Sequence, residues 1–131
     1  MNVLIADDDR TSRLILQKAF SKCEFVYAAA NGLEAVTAFR QSYNSGIFFD
    51  LVCLDVMMPQ MDGQTALREI RAFEEQCGIS TEKRTKIAMI TAQSNKTNVV
   101  NAIKGGCDVY LLKPLSRNEV FSKLRSIGIT L

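Results

Sequence analysis

The chain has 131 residues, 47% of them hydrophobic, which suits one compact domain around a single core and leaves no room for a second. Its net charge is +2 with the basic residues spread along the chain, so neither nucleic acid nor an anionic membrane surface is called for as a ligand. Histidine is absent, which excludes Ser-His-Asp and Cys-His hydrolases, His-ligated metals and a phosphohistidine donor.

In chain order, apolar β-type runs at 2–6, 25–29, 51–54, 86–90 and 109–112 alternate with stretches of helical period. The first helix is expected over 11–20, with Leu14, Ile15 and Phe20 on one side, and the second over 33–43, with Leu33, Val36 and Phe39. Leu67, Ile70 and Phe73 mark the third helix, Val99, Val100 and Ile103 the fourth, and Val120, Phe121, Leu124 and Ile127 the fifth. Ser116 and Glu119 form a capping box at the start of the last one. The polar stretch 78–85 is expected to be a loop, and the whole connection 75–86 is long enough to cover part of the third helix's end.

Asp7, Asp8, Asp9 and Arg10 would interrupt a signal peptide, and no apolar run approaches the roughly 18 residues of a membrane span, so a soluble, cytoplasmic protein with no membrane partner is expected. Cys23, Cys53, Cys77 and Cys107 lie far apart with no C-x-x-C pair, and Cys53 sits inside an apolar run. It reads as a core residue in a reducing compartment, without disulfides.

Strands apolar throughout, joined by single helices, call for an α/β domain with a parallel sheet covered on both faces. The flavodoxin-like, doubly wound arrangement has five parallel strands in the order 2-1-3-4-5, with five helices, and binds ligands beyond the carboxyl ends of its strands. Asp7 and Asp8 after the first strand then meet Asp55 after the third, while Thr91 and Lys113, each just past its own strand, flank the same crevice. Three carboxylates, a hydroxyl and an ammonium make a site able to hold a hard divalent cation and a phosphoryl group together.

Four pieces in this order carry a closer likeness: 3–9 (VLIADDD), 55–63 (DVMMPQMDG), 90–92 (ITA) and Lys113-Pro114. With them the chain resembles, over essentially its whole length, the response regulator receiver domain of two-component signalling, of the kind found in chemotaxis regulators. The resemblance implies that Asp55 accepts a phosphoryl group, that Asp7, Asp8, Asp55 and the Met57 carbonyl hold Mg2+, with Mn2+ able to substitute, and that Thr91 and Lys113 bind the phosphoryl oxygens. It also implies a cis Lys113–Pro114 bond that aims the lysine into the crevice, and a switch in which Thr91 moves and Tyr110 follows. That switch changes the surface of the fourth helix, fifth strand and fifth helix, where a downstream target docks. The phosphoryl donor is then a sensor histidine kinase or a histidine phosphotransfer protein.

Physical chemistry fits those roles. An aspartate nucleophile near neutral pH is ionised and needs no general base, but crowded carboxylates repel an anionic donor until a cation offsets them. Lys113 adds a point-like positive charge, and Ala92 is small enough to leave the phosphoryl group a way in. Plainer readings stand beside these. Asp8 or Asp9 can cap the first helix, Tyr110 can be an ordinary strand aromatic with its hydroxyl at the surface, and Met57, Met58 and Met61 can be packing residues. Met57 and Gln93, near the route of the hydrolytic water, are expected to influence the acyl-phosphate lifetime.

The expectation is therefore one receiver domain over 1–131 without an effector domain, with a complete small protein or an N-terminal receiver favoured over a fragment of a hybrid kinase or larger regulator, monomeric or weakly dimeric on phosphorylation. It catalyses only its own phosphorylation and dephosphorylation. The alternatives are a receiver-like protein-binding module that takes no phosphate, and a magnesium-dependent phosphatase. Enzymes of the latter kind resemble one another in a second Asp two residues after the nucleophile, where this chain has Met57.

Overall fold

A computed structural model describes residues 1–92 and 96–131. Its elements are β1 Asn2–Ala6, α1 Arg10–Ala19, β2 Phe25–Ala29, α2 Gly32–Asn44, β3 Leu51–Asp55, α3 Gly63–Gln76, β4 Lys86–Thr91, α4 Lys96–Gly105, β5 Val109–Leu112 and α5 Arg117–Arg125. The strands form one parallel sheet in the order β2-β1-β3-β4-β5, the doubly wound α/β arrangement expected. β3 and β4 each run one residue further than the apolar run suggests, so Asp55 and Thr91 are the last residues of their strands.

Alternation along the strands builds two cores. Leu4, Val52, Leu54, Ile87 and Met89 point to the side covered by α2, α3 and α4, while Val3, Ile5, Leu51, Cys53, Ala88 and Ile90 meet α1 and α5 on the other. Burial, aided by negative Asp7, pushes the Cys53 thiol up to about 12, so it is an inert core residue. All four cysteines are free thiols. No helix among the described residues is long and apolar enough to cross a membrane.

Side-chain caps fix four helix starts. Asp9 accepts from the Thr11 amide, Asn31 from Glu34, Asp62 from Thr65, and Ser116 from Glu119 at 3.2 Å. Asp9, rather than Asp8, is thus the cap of α1.

The helix faces differ from the expectation in four places. Leu14, Leu33 and Ile103 face water, and Ile127 lies past the end of α5. On α2 Val36 and Phe39 are buried as expected, joined by Ala35 and Ala38, while α1 buries Leu16 with the small Ser12 and Ala19, and α4 buries Ala102; small side chains let a helix lie close to the sheet. β2 is an edge strand, so Phe25 and Tyr27 are exposed and this apolar strand is not buried on both sides.

The connection after α3 is a loop containing a turn, as expected. A buried polar cluster anchors it. The Arg71 guanidinium donates to Glu74 at 2.7 Å, to the Thr85 carbonyl at 2.8 Å, to Asp108 at 2.9 Å and to the Gly106 carbonyl at 3.0 Å.

Candidate functional site

The acidic residues converge because β1 and β3 are neighbours that end together. Ala6 pairs with Leu54 in register, so Asp7 and Asp55 emerge side by side at the carboxyl edge. Asp7 is fully buried, Asp55 is 3% exposed, and Asp8 lies open to solvent. One carboxylate oxygen from each of Asp7, Asp8 and Asp55 lies within 4.8 Å of the others.

Lys113 enters from the far side of β4. Its backbone amide bonds to the Thr91 carbonyl at 2.8 Å, and the Lys113–Pro114 bond is cis. The ammonium lies 3.1 Å from Asp55 Oδ2, 3.3 Å from Asp7 Oδ1 and 3.8 Å from Asp9 Oδ2. Burial opposes its charge, but Asp55 and Asp7 outweigh burial and hold its pKa above the ordinary lysine value. Thr91 is fully buried and Ala92 beside it is exposed. Met57 is also exposed, and its amide donates to Asp55 Oδ1 at 3.3 Å.

Tyr110 is half-buried in β5 against the α3 and α4 core, with its hydroxyl oxygen shielded from water rather than at the surface. Burial pushes its phenol pKa up, and the Thr91 side chain opposes that. Gln93 lies outside the described residues.

Sequence reasoning missed two contributors. Arg13 reaches back from α1 to the Asp7 carbonyl at 2.8 Å, and Asp9 joins the cluster through Lys113 while capping its helix. A hydrogen bond from Ser12, only partly opposed by burial, lowers the Asp9 pKa, with Thr11 and Lys113 adding to the effect. Arg13 sits six residues after Asp7, on the first turns of a helix expected next to the site, and that spacing is the signal that could have found it.

The charge state of Asp55 departs from the expectation of full ionisation near neutrality. Burial, and after it the negative Asp7, push its pKa up to about 7 against the pull of Lys113. Because the folded value lies above the unfolded one, this contribution to stability is fully present below about pH 4 and is lost as pH rises through about 7. In a chelating buffer the thermal midpoint is thus expected to fall over that window. The decline should shrink markedly in Asp55→Asn, and identical slopes in the two proteins would remove the assignment to Asp55.

A sequence model of the response regulator receiver domain matches residues 3–125. The chain belongs to that family. This receiver domain of two-component signalling is 33% identical over 126 residues to the probable transcriptional regulator ycf27 of Pyropia yezoensis, covering 95% of this chain and 46% of that protein. The chain spans about half the length of the curated relatives it matches. Among solved structures, one chain of the CheX–CheY–BeF3–Mg complex from Borrelia burgdorferi is similar with a TM-score of 0.83 at 30% identity, covering 99% of this receiver domain and 90% of that chain. The receiver domain of the histidine kinase CKI1 from Arabidopsis thaliana, complexed with Mg2+ and BeF3−, gives 0.81 at 29% identity over 96% of this chain and 88% of that one.

Proposed function

We propose that the 131 residues form a single phosphoacceptor switch in which Asp55 takes a phosphoryl group from a sensor histidine kinase or a histidine phosphotransfer protein. One observation carries this reading. The carboxylates of Asp7, Asp8 and Asp55 lie within 4.8 Å of one another, the Lys113 ammonium pairs with Asp7 and Asp55, and Asp7 Oδ2 is buried with no hydrogen-bond partner among the described residues. An orphaned carboxylate oxygen in an all-oxygen donor set suits a hard divalent cation. Asp7, Asp8, Asp55 and the Met57 carbonyl would hold Mg2+, or Mn2+ in its place. The bound ion supplies charge neutralisation and a contact for the phosphoryl oxygens.

The chain's own residues do the rest. An Asp55 oxygen attacks phosphorus, forming a new O–P bond as the bond to the donor breaks and the donor leaves with the electron pair. Lys113 pairs with a phosphoryl oxygen, Thr91 donates its hydroxyl to another, and Ala92 leaves the entrance clear. Thr91 moving toward the phosphoryl group changes the packing at Tyr110, and with it the face formed by α4, β5 and α5. Val100, Ile103 and Leu112 are exposed on α4 and β5, which supports that face as the docking surface for a target. No external substrate is turned over in this reading, since Met57, two residues after Asp55, has no proton to give a leaving group. The free thiols support the cytoplasm as its compartment.

Intact-protein mass after incubation with acetyl phosphate and Mg2+ tests the proposal. Wild type is expected to gain one phosphoryl group, while Asp55→Asn and a magnesium-free control gain none. Wild type that stays folded and unmodified would make the phosphate-independent binding module the better reading.

A further inference from the structure

A cavity of about 570 Å³ opens at the opposite edge of the sheet, within the range of roughly 300–1,000 Å³ typical of small-molecule sites. Asp50 and Thr85, which precede β3 and β4, are among the residues that line it. At about 3.3 Å per residue, the length of β3 separates it from Asp55 by roughly 16 Å. It is a second site, independent of the acidic cluster.

Its walls are aromatic. Tyr43 and Phe48 meet with ring centroids 5.1 Å apart, Phe39 stacks on Phe49 at 6.3 Å, and Ile79 closes the side formed by the loop after α3. Phe48 is 58% exposed and Ile47 44%, so large apolar side chains meet water here. Isolated exposed apolar residues need no explanation, but two beside an aromatic cavity offer a stacking surface.

The charges around the cavity are unbalanced. Glu74 is fully engaged, accepting from Arg71 at 2.7 Å and from the Thr85 amide at 2.7 Å, and Asp50 accepts from the Asn2 amide at 2.7 Å. Lys83 and Arg84 also line the cavity, and among the described residues neither has an ion pair. An apolar body resting on the rings would place an anionic head group within reach of the Arg84 fork and the Lys83 ammonium. We propose that this cavity binds a small amphipathic anion, with an aromatic or branched hydrocarbon body and one carboxylate, sulfonate or phosphate group.

Anilinonaphthalene sulfonate has this chemistry and serves as the probe, titrated into the folded, 15N-labelled protein. Saturable binding is expected, with amide shifts concentrated at 47–50 and 77–84. Phe48→Ser and the double variant Lys83→Glu/Arg84→Glu should each weaken binding by about tenfold or more, while Leu14→Ser, an exposed apolar site on α1, leaves it unchanged. Phenylnaphthylamine, which lacks the sulfonate, should bind less tightly and lose its sensitivity to the charge reversal. Shifts centred elsewhere, binding without saturation, or equal affinity in wild type and the charge-reversed variant would each overturn the proposal. These altered side chains are solvent-facing or at the cavity rim, and amide spectra of each variant report that the fold is kept.

Discussion

Arg71→Met is expected to destabilise the domain by about 3–5 kcal/mol, enough to lower its thermal midpoint by roughly 10–20 °C. Arg71 is 11% exposed and faces carboxylates that are 4% and 14% exposed, Glu74 and Asp108. Removing the guanidinium strands both charges in a poorly solvated place and takes donors from the Thr85 and Gly106 carbonyls. Those carboxylates are themselves structural, since Glu74 accepts from the Thr85 amide and Asp108 from the Ile87 amide at 2.8 Å. The cluster therefore ties α3 to the starts of β4 and β5. Arg40→Ala is the comparison, because its pair with Glu69 is about half exposed on both sides and should contribute less than about 1 kcal/mol. Adding Glu74→Gln and Asp108→Asn to Arg71→Met should recover part of the loss by discharging the stranded groups. Urea unfolding of these proteins decides the matter, and an Arg71→Met loss no larger than that of Arg40→Ala would show the cluster to be inessential.

That cluster also marks where sequence reading stops. Arg71 and Glu74 look like an ordinary i,i+3 surface pair on α3, and nothing in the sequence tells that Asp108, 37 residues on, folds against them. The candidate site was legible for the opposite reason. In a parallel sheet every strand delivers its last residue to the same edge, so polar residues at the ends of apolar runs are brought together by topology alone. Asp7, Asp55, Thr91 and Lys113 need no long-range contact to be recognised.

Helix faces were less legible. The periodicity reading found Val36, Phe39, Leu67, Ile70, Val120 and Leu124, all buried, but it also favoured the exposed Leu14, Leu33 and Ile103 and passed over the small residues that let helices lie close to the sheet, Ala35, Ala38, Ala66 and Ala102. The loop after β3 hides another feature. Gln60 adopts a φ of 67°, a left-handed conformation that Gln does not advertise as Gly or Asn would.

Gly63→Ala is expected to cost about 3 kcal/mol and to slow the proposed phosphorylation of Asp55 by about a hundredfold. Gly63 is the first residue of α3, and its amide bonds to the Val56 carbonyl at 2.9 Å, which draws the helix start onto the end of β3. A Cβ there would press on the Asp55 carbonyl oxygen and lie 2.8 Å from the Asp55 carbonyl carbon and 3.0 Å from Val56 Cα. All of these are backbone atoms, so relief requires the end of β3 or the start of α3 to shift. Either shift moves Asp55 relative to Asp7 and Lys113, and catalysis by positioning tolerates displacements well below 1 Å. Gly105→Ala separates this from a general effect of adding a methyl group. Its Cβ would meet Leu67 Cδ2 at 2.8 Å, the end of a side chain buried in the core, so relief there comes from repacking a side chain rather than from shifting the backbone at Asp55. Gly105→Ala should lose about 1–3 kcal/mol of stability to overpacking yet keep near wild-type phosphorylation. If Gly63→Ala matches it in the initial rate with acetyl phosphate, the close approach of α3 to β3 has no part in setting the acceptor's position. If Gly63→Ala loses rate while still folded, the Asp62-Gly63 pair acts on Asp55 through backbone packing, a role for the glycine beyond that of a turn residue.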